Sequence, residues 1–182
     1  MNQPNNDLNE QARLAWEIIE TTNTNLFLTG KAGTGKTTFL RRLKNESSKR
    51  IVVVAPTGIA AINAEGVTIH SFFQLSFAPF IPNAQYKLKE QQYKFSRQKI
   101  RVIQSIDTLV IDEISMVRAD LLDAVDAVLR RFRKNQMPFG GVQMVMIGDL
   151  GQLAPVAKDD EWQMLSRYYA TPYFFSSLAL QR

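Results

Sequence analysis

Gly30-Lys-Ala-Gly-Thr-Gly-Lys36-Thr37 follows directly on the apolar run Leu26-Phe-Leu28. This stretch combines glycines, a lysine and a hydroxyl at the spacing of a loop that binds phosphates. Glycines allow backbone N–H groups to crowd around phosphate oxygens in conformations that other residues resist. Lys36 supplies a point charge for β- and γ-phosphates, and Thr37 supplies a hydroxyl for Mg²⁺. A helix opening there directs its positive end at the same anion. The nucleotide-binding set is therefore Gly30, Ala32, Gly33, Thr34, Gly35, Lys36, Thr37 and Thr38.

Asp112-Glu113 closes the apolar run Leu109-Val-Ile111. A pair of acids at a strand end occurs by accident, but downstream of a phosphate loop it acquires a role. Asp112 is placed to reach Mg²⁺, partly through water, and Glu113 to position or deprotonate an attacking water. Gly148-Asp-Leu-Gly-Gln152-Leu-Ala-Pro155 follows another apolar run. A glutamine amide can donate to a γ-phosphate oxygen and accept from water, which suits Gln152 to sensing hydrolysis. The catalytic candidates are thus Lys36, Asp112, Glu113 and Gln152, with Thr37 and Asp112 toward the metal. No Asn-Lys-x-Asp element of a guanine-specific switch is present, which disfavours GTP.

Two further blocks, Ala55-Pro-Thr-Gly-Ile-Ala-Ala61 and Gly66-Val-Thr-Ile-His-Ser-Phe-Phe73, carry hydroxyls, amides and rings. Single-stranded nucleic acid grooves use such groups, with polar contacts to phosphates and flat surfaces for bases. Phe72 and Phe73 read equally as core, and a lone histidine such as His70 is more often a hydrogen-bonded structural residue.

The elements that must position these residues follow from pattern. With 182 residues, 45% hydrophobic and 21% charged, the chain suits one globular core. Asp7-Leu-Asn-Glu10 predicts a capping box opening a helix that buries Ala12, Ala15, Trp16 and Ile19. Strands are predicted at Leu26–Leu28, Ile51–Ala55, Leu109–Ile111 and Val142–Ile147; the last three lack polar alternation and read as strands buried on both faces. Helices are predicted from Lys36 to about Lys44, and over a stripe of Leu121, Leu122, Val125, Val128, Leu129 and Phe132. In the second helix Asp120 and Asp123 complement the dipole at one end. Arg130, Arg131, Arg133 and Lys134 form a solvated basic end. Alternating strands and helices predict an α/β layered domain with a mostly parallel sheet, whose ligands bind at the carboxyl ends of strands. From Pro79 to about Lys99 the alternation breaks in a polar, irregular insertion. It holds five Lys/Arg against one Glu between Ile81 and Lys99.

Composition removes other chemistries. There is no cysteine, hence no disulfide and no thiolate nucleophile or metal site, and a single histidine rules out a His-rich metal centre. No run approaches membrane-span length, and no secretory signal is evident, which fits an intracellular protein without a membrane partner. A net charge of +5 leans toward a polyanionic partner.

Taken in order, Leu8-Asn-Glu-Gln11, the phosphate loop, Ala55–Ala61, Gly66–Phe73, Leu109–Met116 and Gly148–Pro155 resemble the motif set of the PIF-type DNA helicases. These belong to superfamily one, in the 5′→3′ branch with RecD-like enzymes. The resemblance implies a three-layer RecA-like P-loop NTPase domain with a mostly parallel sheet. Gln11 would read adenine, and Lys36, Thr37, Asp112, Glu113 and Gln152 would hold and hydrolyse Mg²⁺-ATP. Pro56, Thr57, Gly58, Thr68, His70, Ser71 and Phe72 would touch DNA. Single-stranded and fork DNA are the implied partners. The insertion 79–99 would be a small wedge beside the duplex junction. Leu150-Gly151 and Ala154 stand where Phe-Phe and Pro are commoner in the family, while Gln152 is retained. Family members place ATP between two lobes, the second supplying an arginine for transition-state charge. Residues 1–182 match only the first. The expectation is a monomeric half-motor that binds nucleotide weakly and unwinds nothing alone. A nucleotide- or DNA-binding module without turnover, or another P-loop ATPase, is the competing reading.

Overall fold

The computed structural model describes residues 9–31, 33–82 and 95–182. The chain runs α1 (Glu10–Thr21), β1 (Leu26–Thr29), α2 (Lys36–Glu46), β2 (Ile51–Ala55), α3 (Gly58–Asn63), β3 (Val67–Thr68) and α4 (Ile69–Phe73). It continues through α5 (Arg97–Ser105), β4 (Thr108–Ile111), α6 (Ala119–Arg133), β5 (Gln143–Gly148) and α7 (Asp159–Leu165). The five strands form one sheet in the order β1-β5-β4-β2-β3, and all four ladders are parallel. The expected α/β layered domain is what forms.

The two central strands are buried on both faces, while β1 at the sheet edge is half-buried to exposed and β2 is buried over its last three residues. β4 and β5 are buried at every position. One core lies between the sheet and α4–α6, built on Ile69, Phe73, Leu109, Ile111, Leu122, Val125, Leu129 and Met144. A second lies on the opposite face, where Ala15 and Ile19 of α1 and Phe39, Leu40 and Leu43 of α2 cover Val53, Val110, Val145 and Ile147. Ala12 and Trp16 pack at its margin, as the helical spacing predicts.

The amino-terminal edge of the sheet is closed by polar contacts. Arg50 grips Asp107 through Nε and Nη2 at 2.8 and 2.7 Å, which holds the Asp107 carboxyl down at about 2. The buried Gln143 amide accepts from Thr108 Oγ1 and Lys49 Nζ, both at 3.0 Å, and donates to the Thr24 carbonyl at 2.9 Å. Those bonds satisfy groups that would otherwise be buried unpaired.

Four local expectations need correction. The cap of α1 is Asn9, whose side chain accepts from Ala12 N at 2.8 Å, and not Asp7, which lies outside the described residues. An Asn one residue before the apolar periodicity competes successfully for the cap. The irregular insertion ends earlier than Lys99. Ser96 accepts from Lys99 N at 3.1 Å and starts α5 at Arg97, while residues 83–94 lie outside the described set. Arg133 is no solvated helix end; its guanidinium donates to the carbonyls of Ile103, Gln104, Ile106 and Gly140. It thereby supplies the donors that the carboxyl end of α5 lacks.

Asp120 and Asp123 do more than complement a dipole, for both are buried. Asp123 accepts from the Tyr169 hydroxyl, the Ser177 hydroxyl and the backbone N–H groups of Leu178 and Ala179, at 2.5 to 3.1 Å. Burial and the neighbouring Asp123 charge push the Tyr169 phenol far up, so it stays protonated and donates. One carboxylate thus fastens the segment 169–179 to α6. Asp123→Ala strips four donors of their acceptor, and chemical denaturation should show a loss of about 3 kcal/mol. A loss below about 1 kcal/mol would mean that apolar packing alone holds the segment.

Candidate nucleotide and nucleic-acid site

The register of the ladders decides where the chemistry emerges. Thr29 pairs with Gly148, Ile111 with Met146, and Val54 with Ile111. The turns after β1, β4 and β5 therefore leave the sheet side by side at its carboxyl edge.

After β1, the loop turns through Gly33 and Gly35 at φ of +80° and +89°, and Gly35 is the residue from which α2 springs. A side chain at Gly35 would strain that left-handed backbone. Thr34 Oγ1 donates to the Lys31 carbonyl at 2.8 Å and pins the loop from within. Lys36 bends back across the loop, donating to the Gly30 carbonyl and to the Lys31 carbonyl, the latter at 2.9 Å. Thr37 and Thr38 are exposed on the first turn of α2. Ala32 lies outside the described residues. Gln11 is exposed on the first turn of α1.

After β4, Asp112 is tied to β2 by its N–H, which donates to the Val54 carbonyl at 2.9 Å. Glu113 follows in the left-handed region at φ +52°, an uncommon place for a residue with a side chain. It starts a 3₁₀ turn, Ile114–Met116. Burial raises the Asp112 carboxyl, against the pull of the Glu113 backbone and the Lys36 charge. Burial, then the Asp112 charge, raises Glu113; Lys36 opposes that and Asp149 adds to it. Glu113 thus lies in the field of Asp112, Lys36 and Asp149 together.

After β5, Gly148 passes so close to the 3₁₀ turn that a Cβ there would stand 2.9 Å from the Ile114 side chain. Only glycine lets the two strand ends approach this far. Asp149 then organises its own turn, accepting from Gly151 N at 2.9 Å and from Gln152 Nε2 at 3.3 Å. That bond ties the Gln152 amide to the turn. Asp149, to which the sequence analysis gives no role of its own, thus holds this turn together.

The hard oxygen donors Thr37 and Asp112 suit Mg²⁺, which takes one or two protein ligands and completes its shell with phosphates and water. Among the described residues no group of three or more His, Asp or Glu forms a self-sufficient metal cage.

The second set of candidates lies farther along the same edge, beyond β2 and β3. Thr57 caps α3 by accepting from Ala60 N, and Thr68 caps α4 by accepting from Ser71 N, each at 3.2 Å. Capping uses a lone pair of each hydroxyl and leaves its proton free to donate. Pro56 and His70 are half-buried, and Gly58 and Ser71 exposed. Phe72 is a correction. Its ring is 6% exposed, packs edge-on against Phe73 and is covered by Lys99 Nζ at 3.4 Å, so it belongs to the core. The ring that does face outward is Phe77, 82% exposed and stacked on His70 with centroids 4.5 Å apart. It sits three residues beyond Gln74, whose left-handed backbone ends α4. That turn has no glycine to signal it, which hid Phe77 from the sequence pattern.

Among known proteins, a family model described as PIF1-like helicase matches residues 7–169. The ATP-dependent DNA helicase PIF1 of Saccharomyces cerevisiae is 42% identical over 140 residues, covering 74% of this chain and 16% of that protein. Its human counterpart is 37% identical over 153 residues, covering 84% of this chain and 23% of that one. The crystal structure of Bacteroides sp Pif1 in complex with ADP-AlF4 superposes with a TM-score of 0.89 at 47% identity, covering 96% of this chain and 40% of the other. A Bacteroides Pif1 bound to ssDNA superposes with a TM-score of 0.88. This chain therefore spans a minor part of each relative's length, and over that part it belongs to the PIF1-like helicase family.

Proposed function

We propose that residues 1–182 form one RecA-like motor lobe that binds and hydrolyses Mg²⁺-ATP, and that the activity it serves is 5′→3′ DNA translocation and unwinding. The observation that carries the reading is that Glu113 feels Asp112, Lys36 and Asp149 together at one sheet edge, with Gln152 bonded to Asp149 in the adjoining turn. The relatives' names, ATP-dependent DNA helicase, and the ssDNA complex of Bacteroides Pif1 support the DNA assignment.

The residues divide the work as follows. Lys36 exchanges the carbonyls of Gly30 and Lys31 for β- and γ-phosphate oxygens, a stronger, charge-assisted pairing. The α2 amino terminus adds backbone N–H donors. Thr37 and Asp112 would hold Mg²⁺, which when bound neutralises charge on the β- and γ-phosphate oxygens. Glu113 orients the attacking water and takes its proton, a role helped by a carboxyl raised toward neutrality. Gln152 contacts the γ-phosphate oxygen and reports its loss through the turn that Asp149 holds. Gln11 reads the adenine edge by donating and accepting. Pro56, Thr57, Gly58, Thr68, His70 and Ser71 line the path of the DNA strand; single-stranded and fork DNA are its partners. The lobe acts as a monomer, and a second lobe of the longer protein supplies the arginine for transition-state charge.

Lys36→Ala should weaken ATP binding about 10- to 100-fold by calorimetry; unchanged affinity would remove the phosphate loop from the site. In a chain carrying both lobes, Glu113→Gln should keep nucleotide affinity and lower kcat by about 10²- to 10⁴-fold; equal turnover would assign the base elsewhere. The raised carboxyls also have a sign for stability. Asp112 and Glu113 bind protons more tightly folded than unfolded, so folding takes up protons. Their cost is fully present above the raised folded values and disappears as pH falls below the ordinary values of 3.8 and 4.5. Asp112→Asn should accordingly raise the thermal midpoint at pH 7, and that gain should vanish at acid pH. A gain that does not depend on pH would contradict the electrostatic account.

A further inference from the structure

Beside the amino edge of the sheet, the carboxyl ends of α5 and α6 meet around a polar cleft of about 300 Å³. Gln104, Arg133, Lys134, Asn135 and Gly140 line it. The six residues of β5, about 20 Å of strand, separate it from the turn of Asp149. Its wall is the strained turn Pro138–Gly141. Phe139, Gly140 and Gly141 stand in succession on left-handed backbone, at φ of +54°, +61° and +75°. A Cβ on Gly140 would come within 2.9 Å of the Leu129 carbonyl, and one on Gly141 within 2.8 Å of Asn135 Nδ2. Phe139 is buried and its N–H donates to Asp126 Oδ1 at 2.6 Å, which holds the turn in place. Strain held in this way by its surroundings concentrates at ligand sites.

The donors around the cleft are only partly used. Arg133 engages the Gly140, Ile103, Gln104 and Ile106 carbonyls through Nε and Nη1, and Nη2 takes no part in those bonds. Asn135 Oδ1 accepts from Met137 N at 3.0 Å, which leaves Nδ2 to donate. Lys134 is exposed and forms no ion pair among the described residues. Two helix carboxyl ends would by themselves repel an anion, but here their carbonyls are occupied. Arg133 covers those of α5, while Gln104 Nε2 and the N–H groups of Lys134 and Asn135 hold the last ones of α6. The nearby carboxylates are matched as well, Asp107 by Arg50 at 2.7 Å and Asp126 by Arg130 at 3.2 Å. We propose that this cleft binds a phosphate oxyanion. Arg133 Nη2 and Lys134 Nζ donate to its oxygens in charge-assisted bonds, and Asn135 Nδ2 supplies a neutral third. Gln104 Oε1 is the acceptor for a protonated phosphate oxygen. A free phosphate ion and a phosphate of a DNA strand share this chemistry, and the site stands independently of the nucleotide reading at the opposite edge.

The test is an amide NMR titration of the isotope-labelled chain with inorganic phosphate, referenced to chloride at equal ionic strength. The backbone amides of Gly140 and Gly141 and the side-chain amide of Asn135 should shift and saturate with phosphate and stay in place with chloride. Gly33 and Gly35 report phosphate at the nucleotide loop separately, so the two sites are read apart. Asn135→Asp keeps the acceptor for Met137 N and sets a carboxylate against the anion, and Lys134→Gln removes a charge at an exposed position. Each should weaken phosphate binding at Gly140 and Gly141 about tenfold or more, with the response at Gly33 and Gly35 unchanged. An unfolding midpoint close to that of the parent will verify that both variants keep the fold. A second arm uses oligo(dT) without a terminal phosphate. The same shifts with this strand would assign the site to the DNA backbone, and shifts with inorganic phosphate alone would assign it to the free ion. No saturable shift at Gly140 and Gly141 from either source, equal shifts with chloride, or shifts that survive both substitutions would overturn the site.

Discussion

The parallel register of β1, β5 and β4 is the constraint on which the rest depends. β1 and β5 end level, and β4 ends two residues short of β5 in the ladder. Residues distant in sequence, such as Gly30, Asp112 and Asp149, are therefore delivered to one edge without any loop having to travel. The register is set by burial on both faces, since a slip of one residue would exchange the sets packed against the two helical layers. Val110 and Val145 belong to one layer, Leu109 and Met144 to the other.

The two edges of the sheet are chemically opposite. At the amino edge, polar groups are consumed by one another, in Arg50 with Asp107 and in Gln143 with Thr108 and Lys49. At the carboxyl edge, like charges are held close together and partly buried. Asp112 and Glu113 are partly buried side by side, and Lys36 is the cation that draws both carboxyls down against that burial. Glu113 stands on left-handed backbone and Gly148 is crowded against Ile114. Strain and unfavourable charge concentrate where chemistry needs them, and the helical layers and the closed edge offset the cost.

How much of this was legible in the sequence depends on what kind of signal each residue left. Strands β2, β4 and β5 were readable because a short, unbroken apolar run bounded by polar residues suits a strand covered on both faces and little else. The phosphate loop was readable because glycines, lysine and hydroxyl occupy fixed offsets. Asp112 and Glu113 were found because a strand end precedes them. The burial of Phe72 left no such trace, since HSFF spells the same letters whether the ring faces the core or the solvent; α4 is five residues long, too short for periodicity to decide. Asp123 looked like a helix-dipole residue because the donors it accepts from, Tyr169 and residues 177–179, are about 50 positions away. The polar cleft of Arg133 and Lys134 arises from segments that only the tertiary structure joins: the end of α5, the end of α6 and the turn before β5.

The central claim is that the strand-end residues make a single Mg²⁺-ATP site in which Lys36 trades loop carbonyls for phosphate. The most direct measurement is a crystal structure of this chain with ADP, aluminium fluoride and Mg²⁺. Nucleotide phosphates should lie over Gly30–Thr37, with the Lys36 ammonium moved from the Gly30 and Lys31 carbonyls to the fluoride and the metal held by Thr37 and Asp112. Nucleotide bound elsewhere, or Lys36 still on those carbonyls with the phosphates in place, would contradict it.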